Sequence, residues 1–259
     1  MAGFIYTVLI VGGIGLILGA LLSFAAKFFS VKSDEKVEQI RACLPGANCG
    51  ACGFSGCDGY AAAIAAGQAE YNLCTPGGQG TAQELSKILG GNVTVVAKTA
   101  VVHCNHCFDK AVSDFAYCGL NSCAAANILY NGSLACKNAC LGFGDCIKAC
   151  EFNALKLENG NIVVDKNICG GCGKCVKACP KGVITLEVKC LPYVACSNTE
   201  KGAVARKQCT AACIGCKKCE KVCEHNAITV KNNLAVIDSA LCVGCNKCSA
   251  ACPVGCILN

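Results

Sequence analysis

Tryptophan is absent from this 259-residue chain, proline occurs only five times, and charged residues make up just 15 % of it. So little charge excludes a solvated acidic tail, and so little proline means that the 29 glycines do not belong to a collagen-like repeat. Missing too are a legible general base, nucleophile or substrate pocket, and a flavin attachment motif. Gly13-Ile14-Gly15 mimics a dinucleotide fingerprint, but no strand-turn-helix unit with a downstream acidic residue surrounds it. Any redox chemistry must then come from bound groups held by the side chains.

Charge is lacking most completely at the start. Ala2 to Ala26 is a run of 25 residues without one charged side chain, longer than the roughly 20 that cross a hydrocarbon core as a helix. No Lys or Arg precedes Lys27, which removes the basic n-region that a secretory signal needs. The run therefore predicts a single-pass anchor in the cell membrane. Lys27, Lys32, Lys36 and Arg41 follow it and place the rest of the chain on the cytoplasmic side. Gly15, Gly19 and Ser23 share one helix face, a small-residue stripe of the kind that admits a neighbouring membrane helix, although glycine is common in such helices anyway.

What the chain has in excess is cysteine: 29 residues, about 11 % of the total. On the cytoplasmic side structural disulfides are rare, so metal ligation is the better explanation. Cys49, Cys52, Cys57 and Cys74 form C-x2-C-x4-C-x16-C, four soft ligands for one iron-sulfur cluster, with zinc as the alternative. The intervening glycines let backbone N–H groups approach the sulfur atoms. A helix over Ala61 to Ala69 returns the chain to Cys74, so this set closes locally.

Farther on, Cys169-x2-Cys172-x2-Cys175-x3-Cys179-Pro180 has the spacing of bacterial ferredoxins, and Cys242, Cys245, Cys248, Cys252 and Pro253 repeat it. Adding 73 carries Cys123, Cys136, Cys140, Cys146, Cys150, Cys169, Cys172, Cys175 and Cys179 onto cysteines, so two dicluster modules stand in tandem. Each carries a hairpin, turning at Asn159-Gly160 and at Asn232-Asn233. The fourth cysteine of each run ligates the other cluster of its module. Four sets follow: Cys136, Cys140, Cys146 with Cys179; Cys169, Cys172, Cys175 with Cys150; Cys213, Cys216, Cys219 with Cys252; Cys242, Cys245, Cys248 with Cys223.

Phe143 stands where the second module has Cys216, so Cys136 is taken as the missing ligand of the first set. In the second module Cys209 competes with Cys216, and regular spacing favours Cys216. Five [4Fe-4S] clusters thus use 20 cysteines. A sixth site, iron-sulfur or zinc, is open to Cys104, Cys107, Cys118 and Cys123 with His103 and His106 nearby, free thiols being the other reading. The formal charge of +6 treats every cysteine as a neutral thiol. Five clusters at about −2 each would turn it to roughly −4, which removes any basic footprint for nucleic acid.

The expected fold is α+β: an anchor at 1–29, a linker at 30–42, a small [4Fe-4S] domain at 43–90, a connecting Cys-rich segment at 91–135, and two dicluster ferredoxin-like modules at 136–189 and 190–259. In this order, the helix, Leu44-Pro45-Gly46-Ala47-Asn48-Cys49-Gly50-Ala51-Cys52-Gly53, Gly56-Cys57, Cys74-Thr75-Pro76-Gly77-Gly78 and the ferredoxin repeats resemble the B subunit of the Rnf complex. The resemblance covers nearly the whole chain. It implies an electron-transfer subunit of a membrane ferredoxin:NAD oxidoreductase coupled to sodium or proton export, with soluble ferredoxin as donor and other membrane and peripheral subunits as partners. The NAD and flavin sites would lie on those other subunits, so this chain holds no complete active site. Glu151 and Glu224 depart from the proline common after the fourth cysteine, and a carboxylate there should lower a cluster's potential. A stand-alone membrane-anchored redox sensor or cluster-carrying protein is the alternative.

Overall fold

The structure, a computed structural model, describes residues 2–28, 34–91, 95–105 and 110–259. Helix α1, Ala2–Phe28, takes up the uncharged run over 27 residues. Its leucines at 16, 21 and 22 stand exposed, and nothing lies within 4 Å of where a Cβ would sit on Gly15 or Gly19. Counted over the described residues, no helix is long and apolar enough to cross a membrane, so a spanning role is an inference from the sequence and not an observation of the fold.

Helices α2 (Glu35–Cys43), α3 (Cys57–Ala65) and α4 (Gly78–Leu89) make the next unit. Asp34 starts α2 by accepting from the Lys36 amide at 3.2 Å, leaving one fewer unpaired donor in the first turn. Ile40 from α2, Tyr60 and Ile64 from α3 and Leu85 from α4 form one buried core together with Cys57 and Cys74. The expected linker is therefore in part a packing element, because Ile40 is fully buried. Helix α3 also starts and stops earlier than expected: Gly67 at φ +69° ends it, its amide bonding back to Ile64 O and that of Gln68 to Ala63 O.

The first module contains strand β1 (Lys98–Val102), helices α5 (Cys123–Ile128) and α6 (Asp145–Lys148), strands β2 (Leu155–Glu158) and β3 (Asn161–Val164), helix α7 (Lys174–Ala178) and strand β4 (Ile184–Val188). In the second come β5 (Tyr193–Val194), α8 (Gly202–Gln208), α9 (Lys218–Lys221), β6 (Ile228–Lys231), β7 (Leu234–Ile237), α10 (Lys247–Ala251) and β8 (Ile257–Leu258). All four sheets are two-stranded and antiparallel: β1 with β4, β2 with β3, β5 with β8, and β6 with β7. The 73-residue offset carries α6, β2, β3 and α7 onto α9, β6, β7 and α10 residue for residue.

Both hairpins turn where expected, with Asn159 and Gly160 at φ +49° and +80° and Asn232 and Asn233 at +48° and +62°. The segment expected to connect domains does more than connect. β1 lies within it and pairs with β4 from Lys98↔Val188 to Val102↔Ile184, closing the first module with a buried Ala100-Val101-Val102 strand. Each module has its own small core, and cysteines occupy much of both. Domains this small depend on covalent or metal staples to offset chain entropy.

Candidate metal centres

The four N-terminal cysteines come together around Cys74. Burial pushes the Cys74 thiol up, and Cys57, Cys49 and Cys52 push it the same way as electrostatic neighbours. Two polar side chains shape the surrounding loops. Asn48 Oδ1 accepts from the Cys57 amide at 2.8 Å, while the Tyr60 hydroxyl donates to Glu70 O at 2.7 Å and accepts from the Leu73 amide at 3.1 Å. Tyr60 thereby fixes the chain one residue before Cys74. Gly77 lies against the sulfur, since a Cβ there would stand 3.1 Å from Cys74 Sγ.

In the modules the cysteines group crosswise. Cys150 lines one cavity with Cys169, Cys172 and Cys175, and Cys179 joins Cys140 and Cys146 in another. In the second module Cys223 shares a cavity with Cys242, Cys245 and Cys248, and Cys219 has Cys213, Cys216 and Cys252 as electrostatic neighbours. The third cysteine of each run lies in the first turn of a short helix (α6, α7, α9 or α10).

One expected ligand is wrong in place. Cys123, not Cys136, lines the cavity of Cys140, Cys146 and Cys179. The reason is Asp145: its carboxylate accepts from Ser122 Oγ at 2.9 Å and from the Ala124 amide at 3.0 Å, drawing the start of α5 against the start of α6. Burial works against ionisation of Asp145, yet these hydrogen bonds hold its carboxyl below the usual range. Cys136 faces Cys104 and Cys209 instead. Cys209, the rival of Cys216, is likewise drawn elsewhere, because it ends α8, bridges to Ala111 and has Cys104 as a neighbour.

The expected sixth set does not assemble among the described residues. Cys104 and Cys123 lie in different cavities and Cys118 is exposed, while Cys107 and His106 fall outside the described residues. His103 has both ring nitrogens engaged, Nδ1 with Val194 O at 2.6 Å and Nε2 with Thr185 Oγ1 at 2.7 Å. A cysteine that spacing did not flag is Cys256, whose sulfur lies 3.6 Å from Cys252 Sγ. Its hydrogen bond holds the Cys213 thiol down, whereas burial pushes Cys175 and Cys219 up to about 11 and Cys140 and Cys146 to about 12.

The donor sets suit iron-sulfur clusters. Among the described residues no three His, Cys, Asp or Glu side chains converge tightly enough for a single metal ion, where sulfurs around one zinc would stand roughly 3.8 Å apart. The cavities at Cys242, Cys169 and Cys140 are each lined by four cysteines and by no histidine, aspartate or glutamate but His225, a donor set that suits a cluster. Backbone N–H groups also point at sulfur, as in Ala100 N to Cys169 Sγ at 3.4 Å. Iron would deprotonate thiols that burial otherwise keeps neutral.

The two glutamates that replace proline are not bare. Glu151 pairs with Lys174, and 73 residues on Glu224 pairs with Lys247 at 2.5 Å.

Comparison with known proteins places these sets in familiar company. An Fe-S cluster family matches residues 44–76, a 4Fe-4S binding domain matches 161–184 and a 4Fe-4S dicluster domain matches 212–256. The chain is 43 % identical over 251 residues to the B subunit of the Na⁺-translocating ferredoxin:NAD⁺ oxidoreductase complex of Acetobacterium woodii, covering 96 % of this chain and 75 % of that one. To the B subunit of the proton-translocating ferredoxin:NAD⁺ oxidoreductase complex of Clostridium ljungdahlii it is 43 % identical over 232 residues, 88 % and 82 % of the two chains. The B subunit of an ion-translocating oxidoreductase complex of Methanosarcina acetivorans is 38 % identical over 163 residues, 62 % of each chain.

Proposed function

Because the chain belongs to the family of B subunits of Rnf-type ion-translocating oxidoreductase complexes, we propose that it is the electron wire of such a complex. It takes electrons from reduced soluble ferredoxin and delivers them to partner subunits that reduce NAD while sodium or protons are exported. The observation that carries this reading is the adjacency of the cysteine sets. Cys172 has Cys49 of the N-terminal set as a neighbour and Cys146 has Cys175 of the crosswise set, so the N-terminal set and the two sets of the first module stand next to one another.

Each bound [4Fe-4S] cluster would supply reversible one-electron transfer. The side chains do the rest. Cys49, Cys52, Cys57 and Cys74 hold one cluster; Cys150, Cys169, Cys172 and Cys175 a second; Cys123, Cys140, Cys146 and Cys179 a third. Cys213, Cys216, Cys219 and Cys252 hold a fourth, and Cys223, Cys242, Cys245 and Cys248 a fifth. Helix α1 is the membrane anchor in this reading, on the strength of the uncharged run from Ala2 to Ala26 in the sequence.

The test is to solubilise membranes with mild detergent, isolate the complex through this chain and follow its visible spectrum. Bleaching by reduced ferredoxin and recovery on adding NAD⁺ is the expected result. A chain that is recovered alone from the soluble fraction, or that ferredoxin does not reduce, overturns the reading in favour of a stand-alone sensor or cluster carrier.

A further inference from the structure

The cysteines displaced from their expected sets are not scattered. Cys104, Cys136, Cys196 and Cys209 line one cavity at the seam between the two modules. They come from four separate stretches of chain, which is why no local spacing announces them. In size it matches the three cavities lined by regular ferredoxin sets. Three of its four cysteines are 8 % exposed. Apart from asparagine and serine at the margin, the remaining wall is alanine, namely Ala111, Ala139, Ala195, Ala211 and Ala212.

Three of the four sulfurs already receive hydrogen bonds of the kind that stabilise a metal-bound thiolate. Cys104 Sγ accepts from the Cys140 amide at 3.4 Å and Cys196 Sγ from the Cys213 and Asn198 amides at 3.3 and 3.4 Å. Cys136 Sγ accepts from Asn198 Nδ2 at 3.5 Å. Asn198 is 1 % exposed and is held in place by a second bond from the same nitrogen to Gln208 Oε1 at 2.8 Å. A buried amide fixed toward sulfur, in a pocket walled by alanine, has the form of a built ligand shell.

We propose that Cys104, Cys136, Cys196 and Cys209 hold a sixth [4Fe-4S] cluster at the seam between the modules. The inference rests on the electron-wire reading and extends it. The two hydrogen bonds that cross from the seam run to the amides of Cys140 and Cys213, one a ligand of the nearest cluster in the first module and the other of the nearest in the second. The seam cluster accepts one electron from one neighbour and gives one to the other, with no bond or proton changed. An all-cysteine donor set, in a cavity matched in size to those of the regular ferredoxin sets, favours a cluster over a zinc ion.

Iron and sulfide are to be counted on the purified full chain, with zinc measured alongside and EPR spectra recorded after dithionite reduction. Wild-type protein should carry about 24 iron atoms, four per cubane. Cys136→Ser and Cys209→Ser should each lose four, and the double variant should lose the same four and no more. Cys123→Ser combined with Cys136→Ser should lose eight, because those two cysteines serve different clusters. The signals of the other five clusters should persist in Cys209→Ser, which shows that the module has folded. About 20 iron atoms in the wild type, unchanged in Cys209→Ser, would overturn the seam site while leaving the electron wire standing. One zinc per chain lost in Cys209→Ser would overturn the cluster assignment. Little iron in the wild type would sink the wire itself.

Discussion

The Thr75 hydroxyl donates to Gly171 O at 3.2 Å, tying the loop after the last N-terminal ligand to the ligand loop of the first module. The same contact brings Pro76 against Gly170, where a Cβ would stand 3.1 Å from Pro76 Cα. Although the ligand set of 49–74 closes locally, its domain is docked and not free. Gly171 sits at φ +67°, and a Cβ there would meet Lys98 O at 2.5 Å. Gly171→Ala should therefore cost about 1–3 kcal/mol through backbone strain, with the clash added. The expected readout is a lower urea midpoint for loss of the cluster at Cys150, Cys169, Cys172 and Cys175. An unchanged midpoint would show that the loop relaxes away from Lys98.

The repeated glutamate-lysine pairs revise the expectation that Glu151 and Glu224 simply lower their clusters' potentials. Lys247 holds the Glu224 carboxyl below its usual range through a side-chain hydrogen bond, and the pair as a whole carries no net charge. Removing either partner should thus move the potential in opposite directions. Lys247→Met leaves a bare carboxylate and should lower the potential of the cluster held by Cys223; Glu224→Gln leaves a bare ammonium and should raise it. Both groups are exposed and screened, so each shift should stay below the roughly 59 mV of a tenfold change in a one-electron equilibrium. EPR-monitored redox titration measures both, and shifts of the same sign would refute the pairing argument.

The repeat offers a stability change as well. Gly144 precedes α6 at φ +77°, and its counterpart 73 residues on, before α9, is Lys217 at φ +59°. A left-handed residue with a Cβ costs roughly 1–2 kcal/mol, and glycine avoids that cost at the expense of a looser unfolded chain. Lys217→Gly should stabilise the second module by up to about 1 kcal/mol. Thermal loss of iron from that module should move to a higher temperature, while the first module's loss stays where it was.

Sequence patterns reach furthest where ligands are close in the chain. The 73-residue offset anticipates four helix-strand elements per module, both hairpin turns and the crosswise grouping of Cys150, Cys179 and Cys223, because ferredoxin spacing is itself the geometry of the fold. Spacing fails where the ligand comes from afar. Cys123 and Cys136 both lie upstream of Cys140, and spacing alone favours the nearer; the bonds from Ser122 and Ala124 to Asp145 that select the farther one are tertiary. Likewise β1 carries no mark of its pairing with β4 across 81 intervening residues between Val102 and Ile184. The offset is a divided guide to the seam: it carries Cys136 onto Cys209, which share that cavity, but also Cys123 onto Cys196, which lie in different ones.

Crosswise closure gives the sharpest test of the first module. Cys179 follows the triplet Cys169, Cys172 and Cys175 in sequence, yet it lines the cavity of Cys123, Cys140 and Cys146. Cys179→Ala should therefore remove the cluster of that distant set, about four iron atoms, and keep the EPR signal of the set its triplet belongs to. Cys123→Ala should remove the same cluster, and the two substitutions together should cost no more iron than either alone. Because each cluster staples the two halves of a module with a small core, either substitution should also lower the first module's unfolding midpoint and spare the second. Cys252→Ala should repeat the pattern at Cys213, Cys216 and Cys219. Loss of eight iron atoms from Cys179→Ala combined with Cys123→Ala would mean that the two cysteines serve different clusters and that Cys123 does not complete this one.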